Sequence, residues 1–245
     1  MIMGGAAAGL IGGFLGLGGG IVLVPLLTLV FKVPMHEAVA ISLATIMASG
    51  LVSSTKYLEK GLVDYRLAVL LSIFAAVGAV TGSALAPLMP EKFLQTAFSI
   101  VLLYTTYSIL SKKDGANTRN QSDRPPRLIP VALVALLAGM VSSLLGVGGG
   151  VLIVPAVYLI FNYSLDLSRG TSAFTIGIIA TAGSVAYFAR GALNMEYTGQ
   201  IMLGTIAGGW LGGWLGARAK SRLVKVVFSI ILIYLATRMF LQGIS

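Results

Sequence analysis

A chain of 245 residues in which 57% are hydrophobic and only 10% are charged falls outside the soluble class, where about a quarter of residues carry charge. The mean hydropathy of +0.94 and apolar stretches longer than the ~20 residues that cross a bilayer identify a membrane protein, and continuous runs without period-two alternation make it helical, not a barrel. The formal charge of +9 sits in short loops between apolar runs, where anionic lipid and the positive-inside bias explain it better than nucleic acid does. With no cysteine and a single histidine, His36, disulfides, thiolate chemistry and a histidine-built metal site are excluded, and no cofactor or metal is expected.

In chain order, the predicted apolar segments are 4–31, 37–56, 66–89 and 93–111, then 128–161, 167–189, 197–217 and 223–242. The first begins without a basic leader or a small-residue cleavage pattern and reads as structure, not as a signal peptide. Lys32-Val-Pro34, Glu59-Lys-Gly61, Met89-Pro90 and Arg190-Gly191 supply helix-end chemistry between segments. Residues 111–127 (SKKDGANTRNQSDRPPR) form a polar linker.

The first and fifth segments carry the same phrase, GLGGGIVLVP at Gly16–Pro25 and GVGGGVLIVP at Gly146–Pro155. That 130-residue offset also pairs Ser42 with Ser172, Thr45 with Thr175, Gly61 with Gly191, Gly78 and Gly82 with Gly208 and Gly212, and Tyr104 with Tyr234. The expected fold is therefore an all-α, polytopic membrane protein of two homologous repeats, 1–110 and 128–245, joined by a cytoplasmic linker at 111–127. If all eight segments cross, the basic residues divide ten to seven between the two faces. If the glycine-broken segments enter and leave on one side, the second repeat is inverted. Thirteen basic residues, including the linker's five, then share one face, against Lys32, Lys92, Arg190 and Arg238 on the other. The positive-inside rule favours the inverted arrangement. The 18-residue arm 128–145, ~27 Å as a helix, is long enough to argue for crossing instead.

A straight helix over 4–31 would run ~42 Å through a hydrocarbon core of ~30 Å. A break at Gly16–Gly20 leaves two arms, 4–15 and 21–31, of ~17 Å each, expected to meet near mid-membrane. Irregular backbone at that depth is tolerated only where it is buried or lines a wet cavity, and paired breaks facing each other are the signature of a transport site. The candidate substrate-binding residues are Gly16, Gly18, Gly19, Gly20, Gly146, Gly148, Gly149 and Gly150, whose N–H groups and following helix starts suit an anion. Close helix packing is the competing account of the pentads, and for Gly78/Gly82 and Gly208/Gly212 packing is the preferred one. Ser42 and Thr45, with Ser172 and Thr175, place hydroxyls one turn apart on one helical face. They complete an oxyanion shell or serve as interhelical glue. Asp64, Arg66, Arg169 and Arg190 fall at predicted helix ends, where a surface role is the default. No acid–base pair or nucleophile triad is legible, so no enzyme is expected.

The doubled glycine phrase, the starts of the second segments (Ala38 to Thr45 and Gly170 to Thr175) and Lys60-Gly-Leu-Val-Asp-Tyr-Arg66 together resemble the TauE/SafE family of membrane permeases. Asn194-Met-Glu196 departs from Asp64-Tyr-Arg66 at the matching place, so that loop pair is not symmetric. The resemblance implies a secondary transporter, an exporter, of small sulfur-containing anions such as sulfite, sulfoacetate or other organosulfonates, resident in the cytoplasmic membrane. A passive anion channel, or a permease for another small anion, is the alternative, and a membrane-embedded enzyme or assembly subunit is the third reading. The expected partners are the anion and the lipid bilayer, with no nucleic acid; a homo-oligomer is left open.

Overall fold

The computed structural model describes residues 1–15, 19–111, 128–219 and 221–244, and every element among them is helical. The linker and the candidate residues Gly16 and Gly18 lie outside the described residues. The first half contains α1 (Ile2–Leu15), α2 (Gly20–Pro25), α3 (Met35–Glu59), α4 (Tyr65–Leu85) and α5 (Glu91–Ser111). The second contains α6 (Leu128–Leu145), α7 (Gly150–Pro155), α8 (Leu165–Phe188), α9 (Met195–Gly216) and α10 (Ser221–Ile244). Helices α3, α4, α6 and α8 are each long and apolar enough to cross a bilayer, and α4 reaches that length with the 3-10 turn Ala86–Leu88 that ends it.

Local sequence shapes the short helices α2 and α7 in the same way. Gly19 and Gly149 precede them at φ 88° and 83°, a left-handed conformation that a side chain disfavours. Pro25 and Pro155 then lack the N–H that would continue the α-helical ladder. In each case the backbone relaxes into a π-helical stretch, Leu26–Val30 or Ala156–Ile160. Lys32 and Asn162, again 130 apart, end the two stretches at φ 57° and 58°.

The chain reverses at each break. Gly19 lies against the Ala8 carbonyl while Gly4 faces Leu26 and Phe31, so α2 returns antiparallel along α1. In the second half Gly149 sits beside Ser142, and Ile153, Val157 and Phe161 share a buried cluster with Val131, Ala135 and Ala138. The outgoing arms occupy nearly the stretches expected, Ile2–Leu15 against 4–15 and Leu128–Leu145 against 128–145. Helix α1 follows α9 down to Phe14, beside Gly216 at the end of α9. Helix α6 likewise follows α4, with Met140 beside Gly78 and Gly82.

Helices α3 and α8 occupy the middle, with most of their residues buried. Their contacts run in opposite senses: Leu43 meets Gly183, Gly50 meets Gly177, and Tyr57 meets Gly170. The two central helices, matched by the 130 offset, are therefore antiparallel. Around them the partnerships are exchanged, with α1 on α9 and α6 on α4.

Both outer contacts rest on glycine at every fourth position. A Cβ on Gly204, Gly208 or Gly212 would overlap the carbonyl of Ile2, Ala6 or Leu10, and one on Gly78, Gly82 or Gly139 would overlap α6 or α4 backbone in the same way. In lipid no hydrophobic force drives helices together, so backbone-to-backbone van der Waals contact has to do it. This is the packing role expected of Gly78/Gly82 and Gly208/Gly212. Substituting Gly208 by Leu forces α1 off α9 and should cost about 1–3 kcal/mol or more. Gly199→Ala, where nothing lies within 4 Å, should be neutral or slightly stabilising. Thermal unfolding of the two variants in detergent, monitored by monodispersity, tests this; equal stability would refute it.

Candidate functional site

The two breaks meet. A Cβ on Gly20 would overlap the Gly146 carbonyl and stand 2.8 Å from Ser42 Oγ. Ser42 Oγ itself donates to the Gly146 carbonyl at 2.6 Å, fully buried. Gly146 also lies on the Cα of Val39. Gly148, at φ 76°, rests between Ile46 and Ile176, which correspond at the 130 offset. Helices α2 and α7 start here, with Val22 and Leu152 the first donors onto the carbonyls of Gly19 and Gly149. Their positive ends thus lie at the meeting point of the breaks.

Of the candidate residues, the structure brings Gly20, Ser42, Gly146 and Gly148 into one neighbourhood, with Gly19, Gly149 and Gly150 at the adjoining helix starts. The hydroxyls behave differently from one another. Thr45 donates back to the Ser42 carbonyl at 2.9 Å, and Thr175 to the Thr171 carbonyl at 2.9 Å, with Ala68 O of α4 at 3.5 Å. Both donors are spent on backbone, in the manner of Ser and Thr within helices. Ser172 Oγ is buried and, among the described residues, has no hydrogen-bond partner.

Two residues expected at the surface are buried, because neighbouring helices cover the ends on which they sit. Asp64 is 6% exposed. Its Oδ1 accepts from Leu67 N–H, capping α4, and its Oδ2 accepts from the Tyr163 hydroxyl at 2.8 Å. The Asp64 N–H donates to Thr171 Oγ1 at 3.0 Å.

Arg169 is 1% exposed. Its Nη2 donates to the carbonyls of Phe14 and Gly216, at the C-terminal ends of α1 and α9, and to the Tyr57 hydroxyl. A cation there offsets the negative ends of both helices. The Phe14 and Tyr57 rings lie 5.8 and 5.5 Å from the guanidinium carbon, within cation–π range. Asp166, half-exposed, pairs with Nη1 at 3.3 Å.

Tyr57 also donates to the Gly13 carbonyl, and Tyr187 makes the corresponding bond to the Ser143 carbonyl. These phenols tie the far end of each outgoing arm to a central helix. The spacing of Tyr57 and Tyr187 at 130 is the sequence signal for them. Arg169 has no such signal, because its counterpart is Val39.

A cavity of about 420 Å³ opens beside the loop that leaves α2, lined by Thr28, Lys32, Met35, Glu91 and Gln95 among others. It lies at the start of α3, the opposite end from Tyr57. Among the described residues no group of three or more His, Cys, Asp or Glu is placed to hold a metal.

The family model described as sulfite exporter TauE/SafE matches residues 1–239. The chain belongs to the TauE/SafE family. It is 28% identical to the "Probable membrane transporter protein YunE" of Bacillus subtilis strain 168, over 98% of this chain and 96% of that one. It is 30% identical to a "Probable membrane transporter protein" of Haemophilus influenzae, over 97% and 96%. A "Probable membrane transporter protein" of Xylella fastidiosa strain 9a5c is 28% identical over 94% and 91%. No solved structure matches. As a TauE/SafE member, the chain is a multi-pass helical membrane transporter.

Ser42→Ala strips the donor from a buried carbonyl at the join of the two breaks and should cost about 1–3 kcal/mol. Ser172→Ala removes a hydroxyl without a partner and should leave stability unchanged or raised. Thermal denaturation of the two purified variants is the check, and equal losses would remove the distinction.

Proposed function

We propose that this TauE/SafE member is a secondary transporter that exports a small sulfur-containing anion, of the sulfite or organosulfonate class, through a site at the paired glycine breaks. The observation that carries the reading is the contact between Gly20 and Gly146, where two interrupted helices meet with their N-terminal ends between antiparallel central helices. Broken backbone at membrane depth, facing a pseudo-symmetric partner, is what secondary transporters use to bind ions without a permanent pore. The family's description as sulfite exporter supplies the substrate class. The site comprises Gly16, Gly18, Gly19 and Gly20 with Gly146, Gly148, Gly149 and Gly150, flanked by Ser42, Thr45, Ser172 and Thr175. Nothing in this chemistry calls for an enzyme.

The two halves, 1–110 and 128–245, are proposed to be inverted repeats joined by a cytoplasmic linker at 111–127. Three observations support this. Helices α3 and α8 run antiparallel although the offset matches them residue for residue. Each glycine-broken segment doubles back, which leaves an odd number of crossings per half. The same topology places thirteen basic residues on one face and four on the other. The cavity at Lys32 and Glu91 then opens to the outside.

The absence of native cysteine makes labelling of single introduced cysteines clean. A cysteine at position 115 should react only from the cytoplasmic side, and one at position 61 likewise, whereas position 90 and position 191 should react from outside. Positions 61 and 191 labelling from the same side would refute inversion.

For transport, proteoliposomes loaded with sulfite should show counterflow that saturates and responds to an imposed proton or sodium gradient. Flux that is non-saturating and indifferent to both gradients would establish the channel reading instead. Gly148→Leu, which adds bulk between Ile46 and Ile176 and opposes a positive φ, should abolish counterflow while the protein still inserts and purifies.

A further inference from the structure

Among the positions at which the central helices differ, one exchanges a buried apolar residue for a buried cation. Val39 on α3 is the residue against which the second break packs, through Gly146. Its counterpart on α8 is Arg169, which reaches Phe14, two residues before the first glycine phrase. A buried guanidinium in a membrane protein is expensive unless its five N–H groups all find acceptors. Here the acceptors crowd onto Nη2, which serves Phe14, Gly216 and Tyr57. The counter-charge is a single half-exposed carboxylate, Asp166, on Nη1. Arg169 Nε is buried and has no acceptor among the described residues.

One turn further along the same face of α8, Ser172 Oγ is also buried and without a partner. Two donors without a partner among the described residues, one of them on a cation, therefore stand one turn apart on α8. The first half has no such pair, because Val39 carries no donor and Ser42 spends its hydroxyl on Gly146.

We propose that Arg169 is the charge-bearing residue of the substrate site and that Arg169 Nε and Ser172 Oγ together hold one oxyanion group, so that the transporter binds a single anion per chain, off the pseudo-symmetry axis and on the α8 side. This rests on the anion-transport reading above and adds to it the stoichiometry and the requirement for negative charge. Guanidinium N–H and hydroxyl groups in one shell recognise a tetrahedral or pyramidal oxyanion through its oxygens. A neutral molecule of the same shape leaves the guanidinium charge uncompensated and is rejected.

The test is calorimetric titration of the purified full-length protein with sodium sulfite, sodium methanesulfonate and, as the neutral isostere, dimethyl sulfone, alongside sulfite counterflow. The wild type should bind one anion per chain and no sulfone. Arg169→Gln and Ser172→Ala should each weaken anion binding roughly 10- to 150-fold, the range for losing a hydrogen bond to a charged partner. Arg169→Lys, which keeps the charge but loses the fork, should fall between wild type and Arg169→Gln. Arg190→Gln removes a cation that donates to the Ser83 carbonyl at the opposite end and should bind as wild type does.

If Arg169→Gln does not fold, Arg169→Lys and Ser172→Ala decide the matter, since the Ser172 hydroxyl holds nothing in place. Wild-type affinity in the folded Arg169 and Ser172 variants, with sulfite counterflow intact, overturns this assignment and leaves the transport reading standing. A wild type that neither binds nor moves any of the anions overturns both.

Discussion

In hydrocarbon no water completes the hydrogen bonds of an interrupted helix, so a glycine break at membrane depth survives only where protein covers it. That requirement organises the molecule. Helices α3 and α8 supply the cover: Ser42 donates to the Gly146 carbonyl, and Ile46 and Ile176 close around Gly148. The outer helices hold the hairpins against that pair. Glycine at every fourth position lets α1 approach α9, and α6 approach α4, to backbone contact, which is the source of cohesion that remains when the solvent itself is apolar.

Each half is completed by the other. The hairpin of the first half packs on α9 of the second, and the hairpin of the second packs on α4 of the first. The central helices clasp each other antiparallel. Such exchange gives a natural place for movement, because both breaks touch elements of the opposite half. The Tyr57 and Tyr187 phenols anchor the far end of each outgoing arm, so displacement of one arm requires its own tyrosine bond to open while the other holds.

Matching positions do not do matching work. Asp64 caps α4 and accepts from the buried Tyr163 hydroxyl, whereas Asn194 caps α9 at a more exposed site. Arg169 brings a buried cation to the end of α1, where the other half places Val39. A single charged ligand needs only one countercharge, and a second buried cation would have to be desolvated without a partner.

The sequence by itself determined the solvent, the helical class and the position of the two short helices. Each of these follows from composition or from glycine and proline at fixed spacing, which act locally. The charge distribution along the loops also pointed to inversion, since it needs only the order of segments. Burial and hydrogen-bond partners were decided by tertiary structure alone. Arg169 and Asp64 read as surface residues because they stand at helix ends, and only the neighbouring chain ends at Phe14 and Gly216, or Tyr163 and Thr171, bury them. Ser42 and Ser172 correspond at the 130 offset, yet among the described residues one holds the opposite break and the other has no partner. What a side chain does in a membrane depends on which polar group lies opposite it, and that group belongs to a segment distant in the chain.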